Sequence, residues 1–159
     1  TGYSYGYPMS TVSAHVSDCP NHQTLRNTPM ATRFQVAAFG VLGYECNLCE
    51  MSSEDVKDIK EQIELYKKWR EVLQYGTFYR GRVYDNTYEW TCVSPDKKKA
   101  VGLVLQKLVN PNTSFETYQP CGLKPDAKYR FTNNQQVFDL KEFVQLESKY
   151  SILPLYPSP

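Results

Sequence analysis

Hydrophobic and polar positions change their rhythm once along this chain, near Gly76. Before it, apolar residues recur in two helical stretches separated by short apolar runs. Thr11 to Ser17 (TVSAHVS) is small and β-branched, as expected of a short buried strand, and Asp18 and Pro20 end it. A polar segment follows to Thr28. Thr28 and Pro29 then form an N-cap and first helical position, with Met30, Phe34, Ala37 and Ala38 at helical spacing and a stop near Gly40. VLGYECNL, from Val41, reads as a strand buried on both faces of a parallel sheet. Strand, loop, helix, strand is a βαβ unit.

The longest periodic stretch starts at Ser52 or Ser53, with Glu54 and Asp55 placed at the positive end of the helix dipole. Val56, Ile59, Ile63, Tyr66 and Leu73 form one stripe, widened by Leu65, Trp69 and Val72, and Glu64 with Lys68 is an expected exposed i,i+4 pair. Such a helix covers a sheet. Beyond Gly76 come the short strands TFYRGRV, YEWTCVS, KAVGLVLQKL, SFETYQ and KYRFT, separated by the turn sequences DNT, PDKK, NPNT and KPDA. Val101 to Leu105 is nearly continuous apolar sequence and predicts a central strand of a small antiparallel β-sandwich. DLKEFVQL suggests a short helix before a proline-punctuated extended end.

At 159 residues and 41% hydrophobic content the chain has enough material for a core, as one domain or two small ones. Eighteen basic residues against seventeen acidic ones leave no electrostatic footprint for nucleic acid or for an anionic membrane. No apolar run approaches the roughly 20 residues that span a bilayer. No basic and apolar leader opens the chain, which also lacks an initiator methionine. Cysteines at 19, 46, 49, 92 and 121 are odd in number and irregularly spaced, which fits reduced thiols and a cytoplasmic setting better than a disulfide framework.

Candidate chemistry concentrates between Ser13 and Arg33, the stretch that holds both histidines. His15, inside an apolar run, reads first as a hydrogen-bonded core residue and second as a ligand or base. Cys46 and Cys49 have metal-pair spacing without a second pair to complete four ligands, so no metal or cofactor is expected. Asn21, His22 and Gln23 are three consecutive hydrogen-bonding side chains on one loop, a set that suits neutral sugar hydroxyls. In an α/β barrel both DCPNHQT and CNLCEMS would leave the carboxyl ends of strands, where active sites lie. Asp18, Glu45 and Glu50 are then the nearest carboxylates, and Asp18 with Glu50 reads equally as a glycosidase pair or as loop and capping acids. Arg80, Arg82 and the DKKK run read as ordinary sheet-face and turn residues.

The string STVSAHVSDCPNHQTLRNTPMATRF, followed by FGVLGYECNL, MSSEDVKDIKEQIELYKKWR, GTFYRG, EWTCVSPDKKKAVGLVLQ and GLKPDAKYRF, resembles bacterial alpha-galactosidases of glycoside hydrolase family 36. The ordered set AHVS, PNHQT, TP, TR and GYE is more specific than a generic βαβ pattern. The resemblance implies a retaining exo-glycosidase that removes terminal alpha-1,6-linked galactose from raffinose-type oligosaccharides. It implies an N-terminal β-sandwich, a (β/α)8 TIM barrel and a C-terminal antiparallel domain. Residues 1–75 would be the barrel's last two βα units and residues 76–159 the C-terminal β-sandwich. The family's two catalytic aspartates lie on earlier strands, so no catalytic residue falls in this span, and the span alone should be inactive.

Under that resemblance Asp18, Asn21 and His22 become substrate-pocket rim residues. The expected partners are alpha-galactoside oligosaccharides, the remainder of the enzyme and, in a homo-oligomer, further copies of it. Two departures stand out: Leu25 where the family usually has glycine, and Cys46–Asn47 where Leu-Asp is common. An alternative reading is a non-catalytic carbohydrate-binding module with Tyr79, Tyr84, Tyr88 and Trp90 as a stacking platform.

Overall fold

The computed structural model describes residues 2–84, 87–106, 118–127, 129–131, 137–138 and 150–157. The chain divides into two compact units, Thr1–Gln74 and Tyr75–Pro159.

In the first unit, strand β1 (Ser13–Ser17) leads through a loop to helix α1 (Met30–Ala37) and back to strand β2 (Val41–Glu45). The strands are parallel and in register from Ser13 opposite Val41 to Ser17 opposite Glu45, which is the βαβ unit expected from the pattern. Helix α1 starts one residue later than Thr28 and Pro29 suggested, with Pro29 extended at the cap position. Proline there has no N–H to leave unmatched. The helix is capped by Ala38 rather than running on to Gly40.

Helix α2 (Ser53–Tyr75) begins where Ser52 Oγ accepts the Asp55 amide at 3.1 Å, and the same hydroxyl donates to the Asp55 carboxylate at 2.7 Å. Ile59, Trp69, Val72 and Leu73 are its buried stripe, while Leu65 is exposed. Glu64 pairs with Lys67 at 2.8 Å instead of Lys68, whose ammonium lies 5.9 Å from the Trp69 ring centre.

Two tyrosines join β2 to α2. Tyr44 Oη donates to Gln62 Oε1 at 2.9 Å, and burial, aided by the nearby Cys46 thiol, pushes the Tyr44 phenol up to about 12. The Tyr66 hydroxyl donates to the Gly40 carbonyl at 3.1 Å and accepts the Leu42 amide at 3.3 Å and Gln74 Nε2 at 2.8 Å. The Val41 amide points the other way, donating to Val12 at 2.8 Å.

Side chains alternate across a strand. Val16 is buried and Tyr44 reaches α2, so the opposite face carries Ser13, His15 and Ser17 with Val41, Gly43 and Glu45. That face is open, with Val41 and Glu45 exposed, so β2 is not covered on both sides as its apolar sequence suggested. His15 is likewise exposed, not a core histidine.

The second unit is one antiparallel sheet of order β3-β4-β5-β8-β6-β7. Its strands are β3 (Thr77–Tyr84), β4 (Thr87–Val93), β5 (Ala100–Gln106), β6 (Tyr129–Phe131), β7 (Val137–Phe138) and β8 (Tyr150–Pro157). The first three match the predicted runs, and β5 is central, between β4 and β8. The described strands belong to this single sheet and not to two facing ones. The expected strand SFETYQ mostly lies outside the described residues, as do the DNT and NPNT turns in large part and the whole expected DLKEFVQL helix.

One face of the sheet packs Val93 and Ala100 against Tyr118 and Tyr129, with Tyr79 and Leu123 alongside. Gly122 is needed there twice over: its φ is +79°, and a Cβ would lie 2.2 Å from the Tyr79 ring. Buried Tyr118 shares a hydrogen bond with Thr91 Oγ1 at 2.6 Å. The β3–β4 register shifts between Arg80 and Val83, so Gly81 and Arg82 together oppose Glu89 as a bulge. Glu89 is 1% exposed; Arg82 reaches it at 3.1 Å, and a Cβ on Gly81 would meet its Cβ at 2.8 Å.

Candidate functional site

Because β1 and β2 run parallel, the loops after them leave the same end of the sheet. The β1 loop is built on Asn21. Its side-chain oxygen accepts the Gln23 amide at 3.1 Å, the Thr24 amide at 2.9 Å and the Thr24 hydroxyl at 3.0 Å. Its backbone closes the turn through Leu25 N–H to Asn21 O at 2.8 Å and Asn21 N–H to Arg26 O at 3.0 Å. Asn21 is therefore the internal frame of the loop, whereas Asp18 and His22 are exposed on it. Leu25 has a φ of +54°. Glycine occupies that left-handed region without a Cβ penalty, which is the physical sense of the departure at this position.

Arg33, in the first turn of α1, straps the loop at both ends. Its guanidinium donates to the Ser17 carbonyl at the end of β1 and, through Nε at 2.9 Å, to the Thr28 carbonyl. Cys46 sits close by. Burial and the Asp18 carboxylate hold its thiol above the usual cysteine range, while Arg33 pulls it down. Asp18, Arg33 and Cys46 thus share one electrostatic neighbourhood.

The β2 loop has its own frame. Asn47 Oδ1 accepts the Cys49 amide at 3.1 Å and Asn47 Nδ2 donates to Glu50 Oε1 at 2.8 Å. An aspartate at 47 would set two carboxylates against each other there. Glu50 is therefore engaged with its own loop. Among the described residues no three His, Cys, Asp or Glu side chains cluster as a metal site.

The remaining conspicuous contact is His15 Nε2 to Glu45 Oε2 at 2.8 Å, on the open face of the strand pair. Sequence reasoning gave His15 a core role and missed Arg33. The signal for Arg33 was available: a cation in a first helical turn opposes the dipole and needs another reason to be there.

The stacking platform does not assemble. Trp90 is 9% exposed and stands edge-on to Phe78 at 5.7 Å, and the register puts Tyr79, opposite Thr91, on the other face from Tyr88 and Trp90. The Tyr84 side chain lies outside the described residues.

Two family descriptions match the chain: Melibiase over residues 1–76 and the glycosyl hydrolase family 36 C-terminal domain over residues 87–145. Alpha-galactosidase 1 of Pediococcus pentosaceus is 38% identical over 147 residues, covering 91% of this chain and 20% of that protein. The alpha-galactosidase AgaB of Geobacillus stearothermophilus superposes with a TM-score of 0.93 at 30% identity, over 99% of this chain and 23% of its own. A variant of AgaA from the same organism, solved in complex with raffinose, gives a TM-score of 0.91 at 30% identity with the same coverage of 99% and 23%. These matches define the class, a βα segment of a glycoside hydrolase that runs on into an antiparallel C-terminal domain. The chain belongs to glycoside hydrolase family 36, the family of these alpha-galactosidases. It spans about a fifth of the length of the curated relatives it matches.

Proposed function

We propose that this chain is the closing part of a retaining alpha-galactosidase that removes terminal alpha-1,6-linked galactose from raffinose-type oligosaccharides. Residues 1–75 supply the seventh and eighth strands of a (β/α)8 barrel with their helices, and residues 76–159 the C-terminal antiparallel β-domain. The observation that carries the reading is the parallel β1–β2 pair, helices on one face and a polar face open on the other, within a likeness that runs over 99% of the chain to an enzyme holding raffinose. Substrate in such a barrel lies at the carboxyl ends of the strands, where Asp18, Asn21 and His22 stand on the pocket rim. Asn21 shapes the loop, and His22 and Asp18 are the exposed groups on it.

Catalysis then needs two carboxylates from strands outside this span. The remainder of the enzyme is the first partner of residues 1–75, and the whole enzyme works as a cytoplasmic homo-oligomer. No described helix is long and apolar enough to cross a membrane. The test is hydrolysis of p-nitrophenyl alpha-galactoside and of raffinose by the 159-residue chain and by the full-length polypeptide that contains it. Turnover is expected from the full-length polypeptide alone; turnover by the isolated chain, abolished by Asp18→Ala, would overturn the proposal.

A further inference from the structure

Two of the short motifs that carry the family resemblance, AHVS and GYE, meet in space. His15 of the first and Glu45 of the second are joined at 2.8 Å, Nε2 to Oε2, across the parallel strand pair. Their side chains are 51% and 72% exposed, so the contact is not part of a core. An exposed contact of this kind adds little to stability. Its position is more telling. Glu45 is the last residue of β2 and the register partner of Ser17, and His15 lies two residues before Ser17 on the same face. The other face carries Val16, which is buried, and Tyr44, which is hydrogen-bonded to Gln62 of α2. In a barrel, the face turned away from the helices looks at the axis, and its residues nearest the carboxyl ends line the active site.

We propose that His15 and Glu45 form a sugar-binding pair in the substrate pocket, accepting hydrogen bonds from hydroxyl groups of the galactose ring. This rests on the barrel and alpha-galactosidase reading above. His15 Nε2–H donates to Glu45 Oε2, which fixes the ring's orientation and, in the neutral imidazole, leaves Nδ1 as the acceptor nitrogen. The second Glu45 oxygen is a further acceptor on the same carboxylate. An imidazole nitrogen and a carboxylate oxygen, the latter with charge-assisted strength, are both acceptors that sugar hydroxyls can donate to. Neither residue is placed to replace a catalytic carboxylate: Glu45 is committed to His15, and the pair orients the sugar.

The experiment uses the full-length enzyme containing this span, with kcat/KM measured on p-nitrophenyl alpha-galactoside and on the set of its monodeoxy-galactose analogues. Glu45→Gln keeps the shape of the side chain and His15→Asn keeps a hydrogen-bonding group, so both spare the fold. Each is expected to lower kcat/KM on the parent substrate by about 30-fold, as for loss of a charge-assisted contact to substrate. Each should also erase most of the wild-type penalty for one particular missing hydroxyl, with galactose binding by calorimetry weakened in parallel. A uniform fall across the parent and every analogue would mean that the pair only supports the strands, and would overturn the proposal, as would unchanged kinetics. No turnover of the parent substrate by the unmutated full-length enzyme is a separate result, and sinks the alpha-galactosidase reading itself.

Discussion

Leu25 is 75% exposed and holds a φ of +54°, so its side chain contributes little packing while its backbone sits where a Cβ is unwelcome. Leu25→Gly is therefore expected to stabilise the protein by about 0.5–1 kcal/mol, the relief of the left-handed conformation less the added freedom of the unfolded chain. Thermal unfolding of the two proteins side by side reads this directly, and a lower midpoint for the glycine variant would contradict it. The polar segment as a whole was legible as a loop from its residue types. The division of labour within it was not, because Asn, His and Asp look alike as hydrogen-bonding residues until geometry separates them. Asn21 faces inward to its own turn and His22 faces out. Arg33 stood out only as a cation ill-placed against the helix dipole; its partners, two carbonyls at Ser17 and Thr28, are ones that no side-chain pattern announces.

Among the elements, the β4–β5 hairpin carries the clearest electrostatic consequence. At its tip Asp96 accepts the Lys98 amide at 3.0 Å and the Ser94 hydroxyl at 2.7 Å. These bonds, the backbone one first, hold its carboxyl below the usual aspartate range. A folded-state value below the unfolded one means the contribution is complete above the ordinary aspartate range and lost as pH falls through it. Exchange of the Lys98 and Lys99 amides should accordingly lose protection on acidification, relative to a reference amide in β5, and Asp96→Asn should flatten that dependence. Equal pH profiles for the two proteins would show that the tip owes nothing to this charge. The elements of the first unit and strands β3 to β5 were legible because their periodicities are long or their runs uninterrupted. Strand β8 was not, because Pro154 and Pro157 argue against a strand inside a sheet. The register removes the conflict: β8 pairs with β5 along Tyr150–Leu155 and with β6 only along Leu155–Pro157, so Pro154 has a partner strand on one side alone.

For the whole molecule, the two units differ in how much of their backbone is matched within the chain. Among the described residues, strands β4 and β5 are flanked on both sides, whereas β1 and β2 pair with each other alone. A two-stranded sheet is marginal by itself. Hydrogen exchange of the isolated 159-residue chain should therefore show the β1 and β2 amides exchanging well before those of β4 and β5. Comparable protection would mean that the strand pair is self-sufficient, against its assignment as part of a barrel. The free edge of β2 is nonetheless not featureless. The amide of Val41 points to β1, so by alternation the Gly40 carbonyl and the Leu42 amide point away from it, and the Tyr66 hydroxyl satisfies both, as donor to one and acceptor from the other. One phenol thus impersonates a peptide group of a neighbouring strand. It occupies the first rung of that edge, so a strand that docks beside β2 must begin its ladder at the Leu42 carbonyl and the Tyr44 amide, and a helix side chain sets where that ladder can start.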